Sequence, residues 1–258
     1  MHSRLKQILG TGALVASGAV LVATIVAGSA SGEADAGTTR IETIPLGAAT
    51  SARVEVALGV GQLRVAGGSL AGAGEPMPIG QLLRGEFTYD DEALEPTIDY
   101  AIEDGAGRLT LAQEGVDDTS TWPWTDRLND WALYLNPVVP TELSVELGAG
   151  RSELALGGMT LTGLDVTTGA SETTLDFAGD WRADLRARVD SEAGELTLRL
   201  PSEVGVRVEV DGGAGEVDAD GLTEVDGAYV NDAYGVSPVT LEIDVANGAG
   251  EVELELVG

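Results

Sequence analysis

Apolar residues occupy alternate positions through most of this chain, and the alternation breaks at short turns rich in glycine and alanine. The clearest form is Val-x-x-x-Ala, with the Ala at Ala149, Ala170, Ala193, Ala214 and Ala249 and the Val at Val145, Val166, Val189, Val210 and Val245. With each turn Ala as position zero, apolar side chains stand at −6 and −4: Leu143 and Val145, Leu164 and Val166, Val208 and Val210, Ile243 and Val245. They return mostly at +3, +5 and +7, as in Leu196, Leu198 and Leu200 or Val252, Leu254 and Leu256. Such alternation marks a strand with one buried face. Each unit therefore predicts a strand, a tight Gly-Ala-Gly turn and a second strand. The glycines supply backbone angles that a Cβ disfavours.

The turns are spaced by 21 (149 to 170), 23 (170 to 193) and 21 (193 to 214) residues; the last gap, 35 (214 to 249), holds a coil plus an insertion at 226–238. A weaker upstream register is centred on Val60, Arg84, Ala106 and Leu128. It places Val54, Val56, Leu63 and Val65, then Phe87 and Tyr89, then Tyr100, Ile102, Leu109 and Leu111, then Trp131, Leu133 and Leu135 on the same ruler. The nine units predict an all-β fold, a parallel β-solenoid of about nine 21–24-residue coils, each burying its apolar side on the next. If coils stack in chain order, the final strand, 251–257, is an open edge, and Glu251, Glu253 and Glu255 protect it from end-to-end association. The 226–238 insertion is the segment available to cover that edge. The pattern loosens at 122–140, where Pro137 and Pro140 interrupt it.

The N-terminus predicts export. Arg4 and Lys6 precede an uncharged run from Ile8 to Val26, followed by Gly28-Ser29-Ala30 and Ala34-Asp35-Ala36. The order of regions fits a cleaved signal peptide, and the length fits one membrane-spanning helix as well. In both cases residues from about Gly37 onward are exported. The chain has no Cys, which excludes a lipid-modified cysteine and disulfides. Its net charge is −29, and beyond residue 36 every base is Arg, so nucleic acid and anionic lipid surfaces are poor partners.

Candidate chemistry is sparse. The only histidine is His2, inside the targeting segment, so nucleophilic triads and His or Cys zinc sites lack their residues. Outer-face carboxylate columns at −3 (Glu146, Asp190, Asp211) and −5 (Asp165, Glu209, Asp244) would suit a glycan-active enzyme only inside a groove, and solubility alone would place them there. The stretch 212–220 resembles a calcium nonapeptide repeat with its Asp one place late and no second copy. No cofactor, metal or catalytic residue is expected. Arg186, Arg188 and Arg207 are expected on one outer face of adjacent coils, either in a salt-bridge ladder with Asp165, Asp190 and Glu209 or as a dock for an anionic envelope glycan. Trp122, Trp124 and Trp131 either plug a join between modules or stack on a partner. The candidate interaction surface is therefore Arg186, Arg188, Arg207, Trp122 and Trp124.

Three stretches carry a family resemblance: 131–150 with its Asn136-Pro137 linker and Gly148-Ala149-Gly150 turn, 164–171, and 56–65. Over roughly residues 41–257 the chain resembles the bacterial toast-rack family, with LiaF-like envelope-stress regulators and candidate adhesins as relatives. The resemblance implies an N-terminal cap module followed by a β-solenoid, and brings no catalytic residues. Unlike the LiaF-like pattern, this chain has one N-terminal apolar segment instead of several, which speaks against direct membrane signalling.

The expected organisation is a signal peptide or anchor at 1–36, including one apolar helix, a toast-rack module at 41–136 and a solenoid domain at 137–258. The expected function is that of a non-enzymatic, exported or membrane-anchored envelope interaction or stress-sensing module. Its partner is an envelope protein or glycan, it touches the membrane only through the N-terminal segment, and it is a monomer. The alternatives are a secreted adhesin-like structural protein and a glycan-active enzyme.

Overall fold

The computed structural model describes residues 37–68, 77, 80–113 and 127–258. The expected N-terminal helix and the targeting segment lie outside the described residues, as do Trp122 and Trp124. No helix among the described residues is long and apolar enough to cross a membrane.

Among the described residues the fold is all-β apart from one 3-10 turn at Glu92–Leu94, with fourteen strands in one sheet. They are β1 (Thr38–Pro45), β2 (Ser51–Gly67), β3 (Gln81–Tyr89), β4 (Pro96–Glu103), β5 (Ala106–Gln113), β6 (Asn129–Leu135) and β7 (Thr141–Ala155). Then come β8 (Leu161–Asp176), β9 (Leu185–Pro201), β10 (Gly205–Ala214), β11 (Val217–Asp220), β12 (Thr223–Val225), β13 (Ala228–Val230) and β14 (Thr240–Val257).

The long strands are rungs, each running through its Gly-Ala turn. In β7, Leu143, Val145 and Leu147 are buried before the turn, and Ser152 and Leu154 after it. The buried parity switches from odd to even across Ala149–Gly150, so the interior stays interior while the chain changes direction. Position +1 forms a backbone stack through Gly61, Gly150, Ser171, Gly194 and Gly250. Gly150, Gly194 and Gly250 have φ of 131°, 121° and 124°. A Cβ on Gly194 would run into the Ser171 carbonyl, and one on Gly250 into the Gly194 carbonyl. Glycine here answers both a left-handed backbone and the close approach of the next rung.

Rungs pair in parallel with turn residues in register, in the order Val60, Ala149, Ala170, Ala193, Ala249, Ala214. The −4 valines stack likewise, with Val56, Val145, Val166, Val189 and Val245 at most 2% exposed. Two expectations are corrected by this pairing. Chain-order stacking fails at the end: β14 enters between β9 and β10, so the final strand is interior. The open edge drawn at 251–257 does not exist, and the insertion covers β10, pairing Val208 with Tyr229 through β13.

The nine-coil ruler is the second correction. Only six turn positions stand in parallel register. Ala106 lies opposite Ser51, not Val60, and β3, which holds Arg84, is antiparallel to both neighbours. The unit centred on Leu128 keeps its second half, since Trp131 and Leu133 pair with Leu63 and Val65. Two strands share the place of a rung beside β2: β5 covers its first half and β6 its second. Antiparallel β4 then lies on β5, and antiparallel β3 and β1 lie beyond β6. Period-two alternation is common to parallel and antiparallel strands, so the sequence pattern could not separate them. The sheet is continuous across 136–137, because β2 pairs with β6 and with β7.

Candidate interaction surfaces

Because β14 separates β9 from β10, Arg207 is not on the rung next to Arg186 and Arg188. Glu242 stands between Arg186 and Arg207, and Asp244 between Arg188 and Glu209. Arg186 donates to Glu242 at 3.0 Å, Arg188 to Asp190 at 3.3 Å and Arg207 to Glu209 at 2.9 Å. The expected basic island is thus a ladder of alternating charge. Its carboxylate partners include Asp190 and Glu209, as read from the sequence, and Glu242, which that reading missed because it stacked the coils in chain order.

Trp131, the described member of the tryptophan group, is fully buried. It meets Phe87 edge-to-face at 5.3 Å between ring centroids, and its indole N–H donates to Asn129 Oδ1 at 3.0 Å. It packs the N-terminal arm onto β2.

Ion pairs join successive rungs on the outer face. Arg53 reaches Glu142, Arg151 reaches Glu172, and Arg199 reaches Asp176 at 2.7 Å and Glu255 at 3.5 Å. These groups are largely solvent-exposed, so each pair contributes only about 0–1 kcal/mol. At the N-terminal end, Arg40 bonds Glu42 and Glu95, both at 2.7 Å, joining the β1 arm to the segment leading into β4. Glu42 is only 4% exposed, so this pair is held where water is scarce.

Beyond β9 the second-half outer face changes character. Glu251 lies beside Glu195, Glu253 beside Asp218, and Glu255 beside Asp220. The Glu253 carboxyl is pushed above its ordinary value by desolvation first, and then by Glu255, Asp218, Glu195 and Glu251. Burial alone raises Glu146 in the −3 column. Among the described residues no three acidic, His or Cys side chains converge in a way that holds a metal ion.

A buried polar seam under the turns was also missed. Thr168, Ser191 and Asn247 line position −2, where Leu58 and Leu147 stand on earlier rungs. Ser152 donates to Thr173 at 2.9 Å, and Ser171 shares a hydrogen bond with Thr173 at 3.0 Å. The sequence signal was a hydroxyl or amide residue where other units carry Leu.

The family whose description is "N-terminal domain of toast_rack, DUF2154" matches residues 32–199. The match spans well over half of the sequence, and the chain belongs to the toast-rack family. A solved structure described as a candidate cell adhesion protein from Clostridium sporogenes is similar over 86% of this chain and 100% of its own, with 26% identity and a TM-score of 0.78. A candidate adhesin from Bacteroides fragilis aligns over 84% of this chain and 95% of its own, at 10% identity and a TM-score of 0.30. No curated protein matches the sequence.

Proposed function

We propose that this chain is a non-enzymatic, exported interaction module of the cell envelope, of adhesin-like type. The observation that carries the reading is the likeness to the Clostridium sporogenes cell adhesion candidate, which extends over that protein's whole chain. The physical character of the molecule agrees with it. A stack of rungs held by one apolar interior is a rigid scaffold that presents two long outer faces. With His2 as the only histidine, the charged side chains beyond residue 36 are Asp, Glu and Arg, the residues of a binding face as much as of a catalyst.

In this reading the segment 1–36 exports the protein and either anchors it or is removed. Residues 41–136 act as the capping module and 137–258 as the stacked scaffold, and the protein works as a monomer. Its partner is an envelope protein or glycan, with no role for nucleic acid. Trp122, Trp124 and the Arg186–Arg207 ladder remain candidate contacts. A stress-sensing role needs the anchor intact; a secreted structural role needs it removed.

The test is made on native cells. Protease added to intact cells should remove the protein, and intact mass should tell the cleaved form from the anchored one. Cells lacking the protein should adhere less to their substratum or to one another, with recovery on complementation. A protease-resistant protein inside intact cells, or unchanged adhesion in its absence, would overturn the reading.

A further inference from the structure

The C-terminal end of the stack is closed over one half only. Over the first half, β13 pairs with β10 and β12 with β13. Over the second half, β11 pairs with β14 and with no other strand among the described residues. The Val252 N–H donates to the Glu216 carbonyl at 3.0 Å. In a parallel ladder each residue points its N–H and C=O to the same side, and successive residues alternate. Asp218 and Asp220 therefore turn their backbone groups toward β14, and Val217 and Ala219 turn theirs outward. Among the described residues this is an open edge that can accept a strand.

The side chains of that edge describe what would fit. On the inner side the +5 column runs Val65, Leu154, Leu175, Leu198, Leu254 and then drops to Ala219. At +7 Leu200 and Leu256 are followed by Gly221, and Leu256 is left only partly buried. The last rung is thus thinner than those before it and leaves an apolar step. On the outer side Asp218 and Asp220 are exposed beside Glu253 and Glu255. An added strand would set one side against the apolar step and the other against carboxylates.

We propose that β11 receives an extended segment of a partner protein in which aliphatic residues alternate with lysine or arginine. A second copy of this chain does not match. The edge of β4 carries Asp99 and Glu103 and no base, and in β1 the one base, Arg40, is engaged by Glu42 and Glu95. Pairing β11 with itself would oppose carboxylates. The inference rests on the reading of the chain as a partner-binding envelope module, and adds the place and the chemistry of contact.

The test uses the folded protein and synthetic peptides of alternating Val and Lys, compared with a block-sequence peptide of equal composition. Binding is followed by backbone chemical shifts and titration. The alternating peptide should perturb Val217 and Ala219 first and bind more tightly than the block peptide. Ala219→Pro removes an outward N–H that β14 does not use, and an edge position tolerates proline. That variant should lose about tenfold in affinity, the scale of one backbone hydrogen bond at an open edge. N-methylating alternate peptide amides gives a second measurement that needs no protein variant: one of the two registers should abolish binding and the other should not. Equal binding of the two peptide sequences, full affinity in Ala219→Pro, or insensitivity to both N-methyl registers would overturn the proposal. So would self-association of the parent that Ala219→Pro dissolves. Unchanged adhesion by cells carrying Ala219→Pro, where deletion reduces adhesion, would reject the edge and leave the adhesin-like reading standing.

Discussion

The two ends of the rung stack are built on opposite electrostatic plans. At the N-terminal end parallel β5 and β6 cover the two halves of β2, antiparallel β4, β3 and β1 lie beyond them, and Arg40 joins β1 to the segment before β4 through Glu95. At the C-terminal end a short hairpin covers one half only, and the other carries carboxylates opposite carboxylates. The first end draws its own elements together; the second sets like charges side by side on β14 and β11. Closure of a sheet end therefore does not require long covering strands everywhere. Like charge can guard the part left uncovered.

The largest expected effect tests whether the two ends belong to one cooperative stack. Val189→Asp places a carboxylate in the middle of the −4 column, at a site with no exposure. It should cost several kcal/mol, about 3–5, as for an unpaired buried charge. Thermal unfolding followed at Trp131 and at Tyr229 should fall together. If only one probe moves, the ends fold independently.

Gly194→Ala comes next. The strained φ costs about 1–3 kcal/mol, and contact with the Ser171 carbonyl adds to it. Gly105→Ala, in the β4–β5 turn, has φ of 83° but open space around it, and should cost less. Denaturant midpoints of the two variants measure the difference.

Arg40→Met sharpens the contrast at the N-terminal end. It strands Glu42, and should cost about 2 kcal/mol, below the range for a fully buried pair because Arg40 is partly exposed. Hydrogen exchange should speed up in β1 and β3 and stay unchanged in β14.

At the other end the sign reverses. Glu251 and Glu253 lie on an interior strand beside other carboxylates, whereas Glu255 pairs with Arg199, so changing Glu251 and Glu253 to Gln should raise the melting temperature and leave the protein monodisperse in light scattering. It should also reduce any gain of stability with added NaCl, since screening relieves like-charge repulsion. A lower melting temperature would mean that the carboxylates are paired.

The smallest effect is in pH. Because the folded-state value of Glu253 is raised, its protonation favours the fold below the ordinary glutamate value and this contribution is lost as pH rises through the raised value. Stability should therefore increase as pH falls from neutral toward that range, and Glu253→Gln should flatten the increase. Asp91 is lowered by the Ala93 N–H first and then by Arg127, so its contribution persists through the same window and fails only in stronger acid.

The sequence by itself determined the local content of this protein. Alternation at Leu143, Val145 and Leu154 prescribed which strand face is buried, and the turns at Val60 and at the five Ala positions marked six rungs, because side-chain direction and backbone freedom are properties of each residue and its near neighbours. The toast-rack resemblance was legible for the same reason. Only the tertiary structure decided which rung lies beside which. It placed β14 between β9 and β10, turned the Arg186–Arg207 island into an alternating ladder through Glu242, and made β3 and β4 antiparallel covers instead of coils. Strands with similar alternating faces offer similar local pairing. Choosing among such partners depends on how the connections fit and on how the whole apolar interior closes, which no single unit encodes.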